Sequence, residues 1–234
     1  MLGEYFMDQY IKPAAAEFLG SFLIVFTGSG AIMVDVITGG ALGQVGVSVV
    51  FGLAVAVMIL LFGPVSGGHF NPAISLVMLA VRGLHTKRLL IYVSAQLAGG
   101  LLGAVALMQM LGNIADLGTP VPNLEIATVA DISSTVLIVA LEFIFAAMFL
   151  AVVLAVSKRT RLEGTIAAFS VGSAVALVTF VGGPITGAAL NPARYFGPAV
   201  VSGALDYIVI YLSAILVGAF TGALIFRLVI DPTD

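Results

Sequence analysis

Asn71 and Asn191 stand 120 residues apart at matched positions of two nearly identical segments, "GPVSGGHFNPA" (Gly63 to Ala73) and "GPITGAALNPA" (Gly183 to Ala193). Six of the eleven positions are identical, and three more differ only as Val65/Ile185, Ser66/Thr186 and Phe70/Leu190. A carboxamide donates and accepts hydrogen bonds but does not titrate, so two of them can hold a water molecule or a hydroxyl without passing a proton. Each is followed by Pro and Ala (Pro72, Ala73; Pro192, Ala193). Asn is a favoured N-cap and Pro a favoured first helical residue, so both tripeptides read as helix starts. About ten mostly apolar residues follow each one, half of what crossing a bilayer requires, which predicts two half-helices. The residues before them, Gly67, Gly68, His69 and Phe70 in one copy and Gly187, Ala188, Ala189 and Leu190 in the other, are expected to leave carbonyls without helix partners. Such carbonyls form a ladder of acceptors for neutral hydrogen-bonding solutes.

The elements that position these residues follow from composition. The chain is 61% hydrophobic and 9% charged, against about a quarter charged in soluble domains, so its solvent is a bilayer. Six apolar stretches of spanning length lie near residues 12–34, 44–62, 89–112, 133–156, 164–182 and 206–228. They predict an all-α membrane protein forming one domain over 1–234: a first repeat of about 1–112, a linker of about 113–130 and a second repeat of about 131–234. Three spans per half force the second copy to insert upside down relative to the first. The repeat extends to Gly52/Gly172, to Gly-x-x-x-Gly pairs at Gly99/Gly103 and Gly218/Gly222, and to Glu17/Glu142 in the first span of each half. Irregular backbone at membrane depth is tolerated only inside protein or beside a wet cavity. Both half-helices therefore meet near the midplane with their positive ends aimed at one place, where a pore is expected.

Charge gives an orientation. Arg82, Lys87 and Arg88 follow the second span and Lys158, Arg159 and Arg161 the fourth, whereas Asp35, Asp116, Glu125, Asp131 and Asp206 mark the other connections. By the positive-inside rule the basic loops, and with them both termini, face the cytoplasm. The first stretch holds Glu17 and lacks a small-residue cleavage site, so no removable signal peptide is expected. Short loops lean toward a prokaryotic plasma membrane. With no cysteine, disulfides and thiolate metal sites are excluded.

Paired Asn-Pro-Ala segments in an inverted repeat of six spans, with "SGGHFNPA", "LNPARYFGPAV", Glu17 and Glu142 around them, resemble the aquaporin, or major intrinsic protein, family. The resemblance covers essentially the whole chain. It implies a homotetramer with one pore per subunit, needing no cofactor and no nucleic-acid partner, and conducting water while excluding protons and ions. It further implies a narrow filter toward the outer mouth, drawn from spans two and five and the second loop, which falls here on Phe51, Thr179, Ala188 and Arg194. Water-selective members usually carry His where Thr179 stands, so a wider constriction is expected. Classical glycerol facilitators usually carry Asp where Tyr195 stands, and a more aromatic filter. Water is the expected substrate, with ammonia, hydrogen peroxide, hydrogen sulfide, urea or glycerol left open.

Glu17 and Glu142, ionisable groups within spans, admit a proton-coupling role, but unpaired backbone in a dry loop costs several kcal/mol, and loop support is the simpler expectation. His69 is expected to pack, with its carbonyl rather than its ring serving the path. A secondary transporter with inverted repeats is the main alternative, weakened by the non-titrating midplane; a structural membrane tetramer would show negligible permeability. An enzyme would need a nucleophile and base or a metal cluster, for which the sequence offers no candidate.

Overall fold

Long apolar runs broken by Gly, Pro and short polar connections fold into nine α-helices among the residues described by the computed structural model, 7–158 and 164–231. Arg159 and Arg161 lie outside the described residues. In chain order the helices are α1 (Lys12–Ile37), α2 (Gly43–Ser66), α3 (Pro72–Arg82), α4 (Thr86–Leu111), α5 (Leu124–Val129), α6 (Ser134–Lys158), α7 (Gly164–Thr186), α8 (Pro192–Ser202) and α9 (Ile208–Ile225). Helices α1, α2, α4, α6, α7 and α9, the first and last prolonged by π-helical turns at Met7–Ile11 and Phe226–Ile230, are long and apolar enough to cross a membrane. The protein is an integral, multi-pass, all-α membrane protein.

The two eleven-residue helices, α3 and α8, are the expected half-helices. Each begins with Asn as N-cap: Oδ1 of Asn71 accepts the Ala73 N–H at 2.8 Å, and Oδ1 of Asn191 accepts that of Ala193 at 2.9 Å. Each ends at a left-handed glycine, Gly83 or Gly203 (φ 70° and 87°), the usual way to close a helix without a Cβ penalty.

Helices α2 and α7 run past the expected ends, through Gly63-Pro64 and Gly183-Pro184, to Ser66 and Thr186. Each proline stands two residues before its helix ends and withholds one N–H from the carbonyl four residues earlier, so only the last turn is affected. The Gly67 and Gly187 N–H groups still close onto the Gly63 and Gly183 carbonyls, at 2.8 and 3.0 Å.

The principal packing pairs are α1 with α4, α6 with α9 and α2 with α7, and glycine allows each approach. Where α2 crosses α7, a Cβ at Gly52 would lie 2.6 Å from the Gly172 carbonyl oxygen, and one at Gly172 would lie 2.5 Å from that of Gly52. Gly99 and Gly103 set α4 against the Phe18 and Phe22 carbonyls of α1; Gly218 and Gly222 set α9 against Phe143 and Ala147 of α6. Both Gly-x-x-x-Gly pairs thus act as packing faces, the role small residues have where lipid removes the hydrophobic drive between helices.

Candidate functional site

The half-helix N-termini meet tip to tip, and the asparagines lock them. Asn71 Nδ2 donates to the Leu190 carbonyl at 3.1 Å, and Asn191 Nδ2 donates to the Phe70 carbonyl at 2.8 Å. Each side-chain oxygen is spent on its own helix cap, and one amide proton on the opposite loop. The second proton of each amide has no partner among the described residues.

The eight expected acceptor carbonyls are not equivalent. Those of Phe70 and Leu190 receive the asparagine amides, and that of Ala189 receives the Asn191 N–H at 2.6 Å. Those of Gly67, Gly68, His69, Gly187 and Ala188 accept nothing from the described residues. Gly187 does not reach the central cavity; it packs on Pro120, whose Cα a Cβ at Gly187 would meet at 2.6 Å.

These loops are strained. Phe70, Ala188 and Leu190 have φ of 48°, 46° and 56°, a region that costs non-glycine residues of order 1–3 kcal/mol each. Buried carboxylates hold them there. Glu17, on α1, accepts the Ser66 hydroxyl and the His69 N–H on Oε1 (2.6 and 3.0 Å), and the Phe70 N–H and Gln96 Nε2 on Oε2 (2.6 and 2.7 Å). Glu142, on α6, accepts the Thr186 hydroxyl at 2.7 Å and the N–H groups of Ala189 and Leu190. Both carboxylates are fully buried. Tyr92 and Tyr211 complete the repeat by donating to the Ser66 and Thr186 carbonyls at 2.6 and 2.5 Å. Their spacing of 119 residues is the signal that would have found them. His69 stands apart from its counterpart Ala189: its Nδ1 lies 3.0 Å from the Ser75 hydroxyl, which Gln96 Nε2 also contacts at 2.9 Å.

A cavity of about 200 Å³ runs past both loops and is lined by Asn71, Asn191, Phe51, Thr179, Ala188 and Arg194 together with Gly67, Gly68, His69, Phe70, Ala189 and Leu190. Pro72, Ala73, Pro192, Ala193, Glu17 and Glu142 stand behind this wall. Arg194, on the first turn of α8, is almost wholly buried, with its guanidinium carbon 5.0 Å from the centroid of the Phe51 ring, a cation–π distance. Its Nη1 donates to the Gly118 carbonyl at 2.8 Å. The Phe51 ring rests on Gly28 of α1, where a Cβ would come within 2.7 Å of its Cζ. Gly118 belongs to a left-handed run, Ala115, Asp116, Leu117 and Gly118 (φ 49°, 48°, 55° and 67°), pinned by fully buried Leu117. The linker therefore supplies an acceptor that aims Arg194, which nothing in its sequence pattern announced.

The 120-residue repeat maps the Phe51, Thr179, Ala188 and Arg194 set onto Val171, Ile59, Gly68 and Ile74, and all four of these also line the cavity. One scaffold thus carries a cationic, hydrogen-bonding ring at one end and an apolar ring at the other.

A family model described as Major intrinsic protein matches residues 6–226. The chain belongs to the major intrinsic protein family. Its relatives in the family include proteins named Probable aquaporin NIP4-2 of Arabidopsis thaliana (36% identical over 212 residues, covering 91% of this chain and 72% of that one) and Aquaporin NIP3-1 of Zea mays (37% over 218 residues, 93% and 70%). Nodulin-26 of Glycine max is 32% identical over 221 residues, 94% and 78% of the two chains. Among solved structures, the aquaglyceroporin from Plasmodium falciparum superposes with a TM-score of 0.85 at 25% identity, over 96% of this major intrinsic protein and 98% of that chain.

Proposed function

We propose that the protein is a passive transmembrane channel for water and small neutral solutes that excludes protons and ions. The observation that carries this reading is the pair of asparagines lining the cavity, each with one amide proton fixed on the opposite loop and one without a partner among the described residues, at the facing positive ends of two half-helices. A water molecule there accepts from both amides and cannot donate to either. A hydrogen-bonded water wire, the route of proton transfer, is interrupted, while the helix dipoles and Arg194 repel cations. Phe51, Thr179, Ala188 and Arg194 act as the selectivity filter. The Arg194 donors not taken by Gly118, with the Thr179 hydroxyl, give a passing solute the partners it loses on dehydration. Carbonyls of Gly67, Gly68, His69 and Ala188 serve the remaining length, and Glu17 and Glu142 hold the loops. Passive conduction requires no catalytic group or cofactor, and none is assigned.

We place the protein as a homotetramer in a plasma membrane with cytoplasmic termini, on the family resemblance and the basic connections at Arg82, Lys87, Arg88 and Lys158. Stopped-flow shrinkage of proteoliposomes in a sucrose gradient tests the function. Water exit well above that of empty vesicles, without dissipation of an imposed pH gradient, supports it. Water exit no faster than in empty vesicles, with the oligomer intact, would overturn it in favour of a structural role, and uphill accumulation driven by an ion gradient would favour a transporter.

A further inference from the structure

We infer that Gln44 is a positioning residue for the arginine-bearing end of the cavity, setting which solutes pass by tethering the Thr179 turn of α7 to α2. The inference rests on the channel reading above. Gln44 sits in the first turn of α2, outside the cavity wall, and its anchorage is firm: Asp35 Oδ1 accepts the N–H groups of Leu42 and Gly43 at 2.9 and 2.8 Å where the helix begins. From there Gln44 Nε2 crosses to α7 and donates to the Thr179 carbonyl at 2.6 Å, with Ser48 Oγ 3.2 Å away. Ser48 in turn donates to the Gln44 carbonyl at 2.7 Å, closing the side chain onto its own helix.

The notch that admits this amide is Gly183. A Cβ there would lie 2.5 Å from Gln44 Nε2 and 3.3 Å from its Cδ, so the amide lies across a surface that only glycine leaves open. The next residue, Pro184, leaves the Phe180 carbonyl, one position beyond Thr179, without its helical N–H, and a donor from another helix on the Thr179 carbonyl stiffens a turn that carries a filter side chain. The device occurs in one half only. The 120-residue repeat places Gly164, Ile59 and Gly63 where Gln44, Thr179 and Gly183 stand, and a Cβ at Gly63 would meet only Ile59 Cγ2, at an ordinary 3.6 Å. A scaffold element would recur in both halves; this one is confined to the end that bears Arg194.

The test compares Gln44→Ala, Gly183→Ala and the double variant with the wild type in proteoliposomes, reading the ratio of glycerol to water permeability. Gln44→Ala is expected to raise that ratio about two- to tenfold, the range corresponding to one net hydrogen bond. Gly183→Ala is expected to raise it similarly by evicting the amide. The double variant should then add little to Gln44→Ala, because the second change finds no amide left to displace. Ratios unchanged in both single variants, or strictly additive effects in the double, overturn the inference while leaving the channel intact. Wild-type vesicles that pass no water would instead refute the channel reading itself. Elution volume and melting temperature of each variant confirm that the compared proteins are assembled.

Discussion

The two buried carboxylates are chemically alike, yet the same conservative change is expected to cost them differently. In Glu142→Gln the amide oxygen can occupy the Oε2 place and keep the Ala189 and Leu190 N–H groups. The NH2 then faces Thr186 Oγ1, which rotates from donor to acceptor. No backbone donor is stranded, because Ala189 keeps Oε2 although the NH2 takes the Oε1 place 3.1 Å from the same N–H, and the loss is limited to weaker neutral hydrogen bonds and the Thr186 donation, about 1–2 kcal/mol in all. In Glu17→Gln each oxygen place serves a backbone N–H, His69 on one side and Phe70 on the other. Either orientation sets the new NH2 against one of them, adding about 1–3 kcal/mol for an orphaned buried group. Gln96, whose Oε1 has no partner, can turn to accept the new amide with Ser75 rotating to donate to it, but this still leaves the Phe70 N–H facing the NH2. Glu142→Ala strands three donors, about 3–9 kcal/mol, a large part of a typical stability of about 5–15 kcal/mol. Thermal unfolding in detergent and water flux in proteoliposomes measure both quantities. The expected order of melting temperature is wild type, Glu142→Gln, Glu17→Gln, Glu142→Ala, with water flux in the two Gln variants tracking folded protein. Glu142→Gln melting below Glu17→Gln would refute the donor accounting. Wild-type flux that depends on an imposed pH gradient, lost in a well-folded Gln variant, would refute loop support in favour of proton coupling.

Other outcomes follow from the same geometry. Arg194→Val removes the cation stacked on Phe51, whose repulsion of a second charge at 4 Å amounts to about 4 kcal/mol at the effective dielectric of such sites; cation and proton leak, read with a pH-sensitive dye, should rise while water flux persists. Thr179→His puts a ring where a small hydroxyl lines the cavity, and glycerol permeability should fall more than water permeability in the same vesicles. Gly52→Ala drives a methyl to within 2.6 Å of the Gly172 carbonyl oxygen, backbone that cannot yield without parting α2 from α7; a loss of about 1–3 kcal/mol should appear as a lower melting temperature.

The sequence alone determined the architecture, because its signals are local or strictly repeated. Twenty-odd apolar residues can satisfy their backbone in a bilayer only as helices, Asn71-Pro72 and Asn191-Pro192 carry their own caps, and an offset of 120 residues names Gly52 with Gly172 and Phe51 with Val171. Family resemblance then pointed to Phe51, Thr179, Ala188 and Arg194, which the fold brings to one cavity. Tertiary structure decided what depends on partners distant in sequence and unmarked by any pattern. Gly118 aims Arg194 from a linker whose left-handed turn has no compositional signature, Gln44 reaches Thr179 across 135 residues, and the asparagines take the Phe70 and Leu190 carbonyls out of the free acceptor ladder. A hydrogen bond is set by where two atoms end up to within a few tenths of an ångström, and only the packed helices specify that.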